Sequence, residues 1–247
     1  MPRANRIFCT GHIWHITHRC HQREFLLKFL RDRRRWRRWL FEAKRRYGLS
    51  VLNYIATSNH IHLLCADQGR DEIPRSLQLI QGRVAQEYNS RKGRRGAFWE
   101  DRYHATAVQA DGHLAKCMTY IDLNMVRAHA VEHPRQWEVC GFNEILCPPW
   151  RKRVIDFPTL FRLLNVETHE HLATMRNHLV HQEIGRTRRA PAWTESVAVG
   201  DENYLQHVKS DLGLRGAHKR VVTEGGIQTL SEDRPGYWPV LGPKTPD

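Results

Sequence analysis

Residues 58–66, Ser-Asn-His-Ile-His-Leu-Leu-Cys-Ala, open on a turn-forming Ser-Asn pair and continue as an apolar run broken only by His60 and His62. Successive side chains of a strand point to opposite faces, so His60 and His62 share one face and Ile61 takes the other. Strand rise puts their Cα atoms about 7 Å apart, within reach of a common cation. Two histidines alternating on a strand equally suit an ordinary polar face. The triplet alone leaves both uses open.

Working outward, residues 49–57 (LSVLNYIAT) read as the partner strand of a hairpin closed at Ser58-Asn59. Residues 11–18 (GHIWHITH) alternate as an earlier strand, and a polar turn follows at Arg19–Glu24. Phe25, Leu26, Phe29, Leu30, Trp36, Trp39, Leu40, Ala43 and Tyr47 recur at helical spacing among arginines, and Gly48 stands where a C-cap belongs. Downstream, a helix is expected from about Ile73 to Arg91 with Leu77, Ile80, Val84 and Tyr88 on one face. A Gly- and Arg-rich loop (RKGRRG, 91–96) and a strand over 98–108 follow. Asp111 then caps a helix carrying Leu114, Cys117, Met118, Ile121 and Val126 to about Ala130.

The order β-α-β-β-α-β-α implies an α+β, ferredoxin-like fold, an antiparallel sheet with flanking helices. Cys147-Pro148-Pro149-Trp150 marks a boundary between a domain over 1–147 and an accessory region over 148–247. In that region 158–185 and 202–212 pattern as helices, and 213–247 is a Gly- and Pro-rich tail with little pattern. The extension is therefore expected to be mainly helical.

Lys plus Arg number 39 against 26 Asp plus Glu, a formal net charge of +13. Such an excess attracts polyanions, nucleic acid first among them. The arginine run Arg31, Arg33, Arg34, Arg35, Arg37 and Arg38 adds guanidinium groups that fork onto phosphate. Cys9, Cys20, Cys65, Cys117, Cys140 and Cys147 form no CxxC pair, and no signal peptide is evident, so reduced thiols in the cytoplasm are expected. No apolar run reaches membrane-spanning length.

In Tyr120-Ile121-Asp122-Leu123-Asn124, Tyr120 and Asn124 lie one helical turn apart on one face. A phenol thus sits beside an amide oxygen, a good ligand for a hard cation. A tyrosine on an amphipathic helix is also an ordinary core residue with a wet hydroxyl.

Together the strand triplet and this helix resemble the HUH single-tyrosine transposases, and among them the REP-associated tyrosine transposases. The matching text includes Pro2-Arg3, His18-Arg19, Ser58 to Leu64, Tyr88-Asn89, Gly96 to Tyr103 and Tyr120 to Ala128. It covers residues 2 to about 146 well. Met125 stands where the family usually has proline, which is expected to lengthen the helix slightly, and Trp137-Glu138-Val139 replaces a Trp-Ser-Ser segment.

The resemblance implies that His60, His62 and Asn124 bind Mg²⁺ or Mn²⁺ and that Tyr120 attacks a DNA phosphate to form a 5′-phosphotyrosine. It implies a nucleoid-associated enzyme acting on single-stranded DNA folded as a repeat hairpin, a monomer rather than a dimer, with no small-molecule cofactor. Phosphate contacts are expected from Arg91, Lys92, Arg94, Arg95 and Arg127, and further from Arg19, Arg23, Arg83 and Arg102. Phe98, Trp99 and Tyr103 suit core packing better than base stacking. Three readings compete with this one. A zinc site from His12, His15, His18, Cys20 and His21 lacks paired-ligand spacing. A hairpin-binding protein without cleavage keeps the same residues. A metal-dependent amidohydrolase needs a longer barrel.

Overall fold

In the computed structural model, residues 10–185 and 190–232 are described. Pro2, Arg3, Cys9 and residues 233–247 lie outside them. The chain begins β1 (Ile13–Arg19), α1 (Leu30–Tyr47), β2 (Ser50–Ala56), β3 (His60–Ala66), α2 (Glu72–Lys92), β4 (His104–Val108) and α3 (Gly112–Asp122). This is the order expected from the sequence, and the strand order β2-β3-β1-β4 has the ferredoxin-like topology. Gly48 closes α1 at φ 72°, and Asp111 caps α3 by accepting the His113 N–H at 3.0 Å.

β1 lies antiparallel between β3 and β4, with Arg19 opposite His60, Thr17 opposite both His62 and His104, and His15 opposite Thr106. Alternation then puts His15, Thr17, Arg19, His60, His62, His104 and Thr106 on one face of the sheet. The other face carries Trp14, Ile16, His18, Ile61 and Leu63, and α1 and α2 cover it with Trp36, Leu77 and Ile80. One face is thus an apolar core, and the other carries a polar row that gives way to buried Ile13, Leu64 and Val108 at one end.

Three boundaries differ from the sequence reading. Helix α1 starts at Leu30 instead of Phe25, because Leu26 and Leu27 are drawn into the core as a loop and leave Phe25 and Phe29 exposed. The strand expected over 98–108 shrinks to 104–108. Phe98 and Tyr103 are buried, and Trp99 stacks on His18 with ring centroids 4.6 Å apart, so these aromatics pack as expected. The tyrosine helix is interrupted at Leu123 before α4 (Asn124–Arg127) instead of running on to Ala130. Asp122 and Asn124, on either side of the break, are tied to different partners.

Beyond residue 147 come α6 (Phe157–Leu164), α7 (His169–Glu183), α8 (Ala192–Glu195) and α9 (Glu202–Asp211), after α5 (Gly141–Leu146). Helix falls where it is expected at 202–211, whereas the stretch expected over 158–185 is broken into α6 and α7 at Asn165, which is left-handed at φ 50°. The same region adds β5 (Ala198–Val199), parallel to β4, and the hairpin β6 (Lys219–Glu224) and β7 (Ile227–Glu232), so the sheet has seven strands. Gly225 and Gly226, at φ 59° and 78°, form the two-residue turn. Cys20, Cys65, Cys117 and Cys140 are buried free thiols. No helix among the described residues is long and apolar enough to cross a membrane.

One buried ion pair joins the two regions. Arg176 on α7 donates to Asp122 at 2.5 Å, to Thr119 Oγ1 at 3.1 Å and to the Ala115 carbonyl at 3.1 Å, with both charged side chains fully buried. Asp122 also accepts from Asn53 of β2 at 2.8 Å. Removing one partner of such a pair strands the other charge. Arg176→Ala is expected to lower unfolding free energy by about 3–5 kcal/mol. The double variant D122A/R176A should cost less than R176A alone, as read by urea denaturation; an equal or larger cost would contradict the pairing.

Candidate metal centre and nucleophile

The two histidines of the opening triplet project toward α3, and their ring centroids are 5.0 Å apart. His62 is buried and hydrogen-bonds through both nitrogens: Nδ1 to His15 Nε2 at 2.9 Å and Nε2 to the Asn124 side-chain amide at 2.9 Å. His15 Nδ1 in turn lies 2.8 Å from the Trp193 carbonyl oxygen. This row has a fixed direction. A carbonyl only accepts, so His15 Nδ1 carries a proton, and the neutral ring then offers a lone pair at Nε2. His62 Nδ1–H donates to that lone pair. His62 Nε2 is left as a lone pair facing Asn124.

His60 reaches the same state by another route. Its Nδ1 lies 2.9 Å from Thr57 Oγ1 and 2.7 Å from Asn59 Oδ1. The Thr57 hydroxyl spends its proton on the His60 carbonyl at 2.8 Å, so it accepts from Nδ1–H. The Nε2 lone pair of His60 remains available. Two imidazole lone pairs and an amide that presents oxygen when turned over make an N,N,O donor set, which fits a divalent cation with open positions for water or phosphate.

Protonation would spoil this set, and burial opposes it. Desolvation, then repulsion from His60 and His15, holds His62 well below the usual histidine range. His15 is pulled down to about 3 by burial, partly offset by its bond to Trp193. His60 falls to about 4 through burial and then the Arg19 charge.

Tyr120 is half-buried on α3, with its ring 6.0 Å from His62, 6.2 Å from His15 and 6.4 Å from Trp193. The Arg127 guanidinium lies over the ring at 4.0 Å and donates to the Tyr120 carbonyl at 2.6 Å. The four residues named from the sequence, His60, His62, Tyr120 and Asn124, therefore meet in one place. His15 and Trp193 join them without having been singled out for this role. His15 had only the weak signal of an in-phase histidine on β1, and a backbone carbonyl has no sequence signal at all.

The basic residues separate into two groups. Arg91 is paired with Asp32 and lies over Tyr88, and Arg94 donates to Ala97 at 2.7 Å and to Glu24 at 3.3 Å. Arg127 is committed to Tyr120. Arg19, Arg23, Lys92, Arg95 and Arg102 are exposed, as is Arg83 near Trp39 on α2. The five candidate zinc ligands do not converge: His12 joins His207 and Asp211 of α9, His15 joins His62, and His18 packs on Trp99. Hydrogen bonds from His12 to Asp211 at 3.1 Å and to Tyr204 at 3.2 Å account for the first grouping.

Residues 9–124 match the family described as IS200-like transposases. No curated protein matches the chain significantly. Among solved structures, a REP-associated tyrosine transposase bound to a REP hairpin is similar, with TM-score 0.50 and 19% identity over 64% of this chain and 95% of that one. At this identity the likeness is one of fold. A protein from Deinococcus radiodurans R1 described as a transposase has TM-score 0.35 and 17% identity, over 49% of this chain and 95% of its own.

The proton placement is directly observable. Long-range ¹H–¹⁵N spectra at pH 7 should show His15, His60 and His62 as neutral Nδ1–H tautomers; an Nε2–H form of His62 would break the row. Because folded values lie below the unfolded value of about 6.5, the unfolded state binds more protons as pH falls. Stability should therefore be full above about pH 6.5 and decline toward pH 4, with a limiting slope near 1.4 kcal/mol per pH unit for each fully buried histidine. His15→Leu should flatten that slope in urea titrations, and an unchanged slope would show that His15 does not contribute.

Proposed function

From the match of residues 9–124 to the family described as IS200-like transposases, we propose that this chain is a REP-associated single-tyrosine transposase. In this reading it is a metal-dependent endonuclease and strand transferase that acts on single-stranded DNA folded as a repeat hairpin. The observation that carries it is the meeting of Tyr120 and Asn124 with His60 and His62. The REP hairpin held by the structurally similar transposase supports the choice of substrate class.

The Tyr120 oxygen attacks phosphorus, the bond from phosphorus to the 3′ oxygen breaks, the phenol gives up its proton to solvent, and the departing 3′ oxygen takes one up. The products are a 5′-phosphotyrosine and a free 3′-hydroxyl. The phosphodiester is exchanged and not hydrolysed, so a 3′-hydroxyl can later reverse the attack and join strands without ATP. His60, His62 and Asn124 would hold a Mg²⁺ or Mn²⁺ ion, which would supply Lewis-acid polarisation of the phosphate. His15 keeps the His62 ligand nitrogen unprotonated and aimed. The Arg127 guanidinium over the Tyr120 ring keeps a positive charge beside the nucleophile. In this reading the enzyme is a monomer that uses its own tyrosine. Residues 148–247 act as an accessory region that buttresses the site through Arg176 and Trp193. The enzyme is assigned to the cytoplasm, on the nucleoid.

Incubation of a repeat hairpin carrying its flanking bases with protein and Mn²⁺ should yield a covalent protein–DNA band on a denaturing gel. Tyr120→Phe and chelation should each abolish the band, and His62→Ala should reduce it at least 100-fold, as expected for loss of a metal ligand. A band that survives in Tyr120→Phe puts the nucleophile elsewhere. Tight binding with no cleavage under any metal would instead indicate a hairpin-binding protein.

A further inference from the structure

Phe25 and Phe29 are 65% and 58% exposed, although the sequence spaces them as core residues of a helix. Neither is loosely held. Between them Leu26 and Leu27 are buried, and the Leu27 N–H donates to the Ser58 carbonyl at 2.9 Å. Asn59 Nδ2 donates to the Arg23 carbonyl at 3.2 Å. These bonds fasten the loop to the Ser58-Asn59 turn that leads into His60. Gln22 and Arg23 are both left-handed, at φ 51° and 59°, a conformation that non-glycine residues hold only where their surroundings enforce it.

The surroundings of the two rings are cationic. Lys92 Nζ lies 5.7 Å from the Phe29 ring centroid, and Lys28 and Arg23 are exposed in the same loop. Arg94 reaches Glu24, next to Phe25, which brings the 91–96 loop and its exposed Arg95 alongside. Exposed aromatic rings among cations fit single-stranded nucleic acid, where bases stack and phosphates take the charges. An apolar docking surface for a second copy would bring the same positive charges face to face.

We propose that Phe25 and Phe29 form a stacking ledge for unpaired DNA bases flanking the hairpin, adjoining the His60 turn. The inference rests on the DNA-processing reading and adds to it where the unpaired strand lies. Each exposed ring can take one base, and the exposed Lys28, Lys92 and Arg95 of the same and the neighbouring loop can neutralise the phosphates.

The test uses the full chain with a hairpin carrying 2-aminopurine at successive flanking positions, in chelator so that no cleavage intervenes. Wild type should quench the fluorophore at one or two positions. F25A/F29A should lose that quenching and bind the flanked hairpin about 10-fold or more weakly, the effect of losing base stacking. Its affinity for a hairpin without flanks should stay within about twofold, because phosphate contacts elsewhere are untouched. F25Y/F29W should retain both quenching and affinity. Wild type that binds the hairpin without quenching at any flanking position would overturn the ledge and leave the DNA reading standing. Equal weakening with and without flanks would also overturn it. A wild-type protein that binds neither DNA would defeat the DNA reading itself. A dimer in light scattering that F25A/F29A converts to a monomer would assign the surface to self-association and overturn the proposal.

Discussion

The Trp193 carbonyl can accept a hydrogen bond and never donate one, and the arrangement of the site follows from that constraint. It fixes the proton on His15 Nδ1, which fixes the proton on His62 Nδ1, which leaves His62 Nε2 bare toward Asn124. The order cannot run backwards while both rings are neutral, and burial keeps them so. A strand, a hairpin, the tyrosine helix and a segment from the accessory region are thus joined in one network. Breaking a buried member strands a polar group at a cost of about 1–3 kcal/mol. The site is therefore coupled to the stability of the elements around it.

A second constraint acts on the tyrosine helix from its far side. Asp122 is anchored by Arg176 and Asn53, whereas Tyr120 and Asn124 turn toward the histidines. The helix gives way at Leu123, between Asp122 and Asn124, whose side chains are tied to opposite sides. A buried ion pair contributes little net stability once desolvation is counted, but its geometry is demanding. Here that geometry sets the rotation of α3 about its axis, and so where the phenol points. Arg176 lies 54 residues from Asp122 in the chain, which makes residues beyond 147 part of the framework that aims Tyr120.

What was legible in the sequence was local. Strand alternation put His60 and His62 on one face, helical spacing put Tyr120 and Asn124 together, and the order of elements implied the ferredoxin-like sheet. The family resemblance supplied the link between the two motifs. What was hidden depended on register and backbone. His15 reaches His62 only because β1 and β3 pair with Thr17 opposite His62. Phe25 and Phe29 kept helical spacing but fall before α1, because Leu26 and Leu27 compete successfully for the core. The 219–232 hairpin did carry a signal, a Gly-Gly pair between alternating strands, which the Gly- and Pro-rich composition of the tail obscured.

Charge shows the same limit in another form. The excess of +13 attracts polyanions at long range whatever the arrangement of side chains. Close recognition depends on which cations remain uncommitted, and composition cannot say. Arg91 and Arg94 are engaged by acidic partners and Arg127 by Tyr120, so half of the basic loop serves structure. Arg23, Lys28, Lys92 and Arg95 remain exposed, and Lys92 lies 5.7 Å from the exposed Phe29 ring. The paired arginines order the loops that present the exposed ones. A strand held there would meet rings and charges on a rigid support, so little ordering entropy would be lost when it binds.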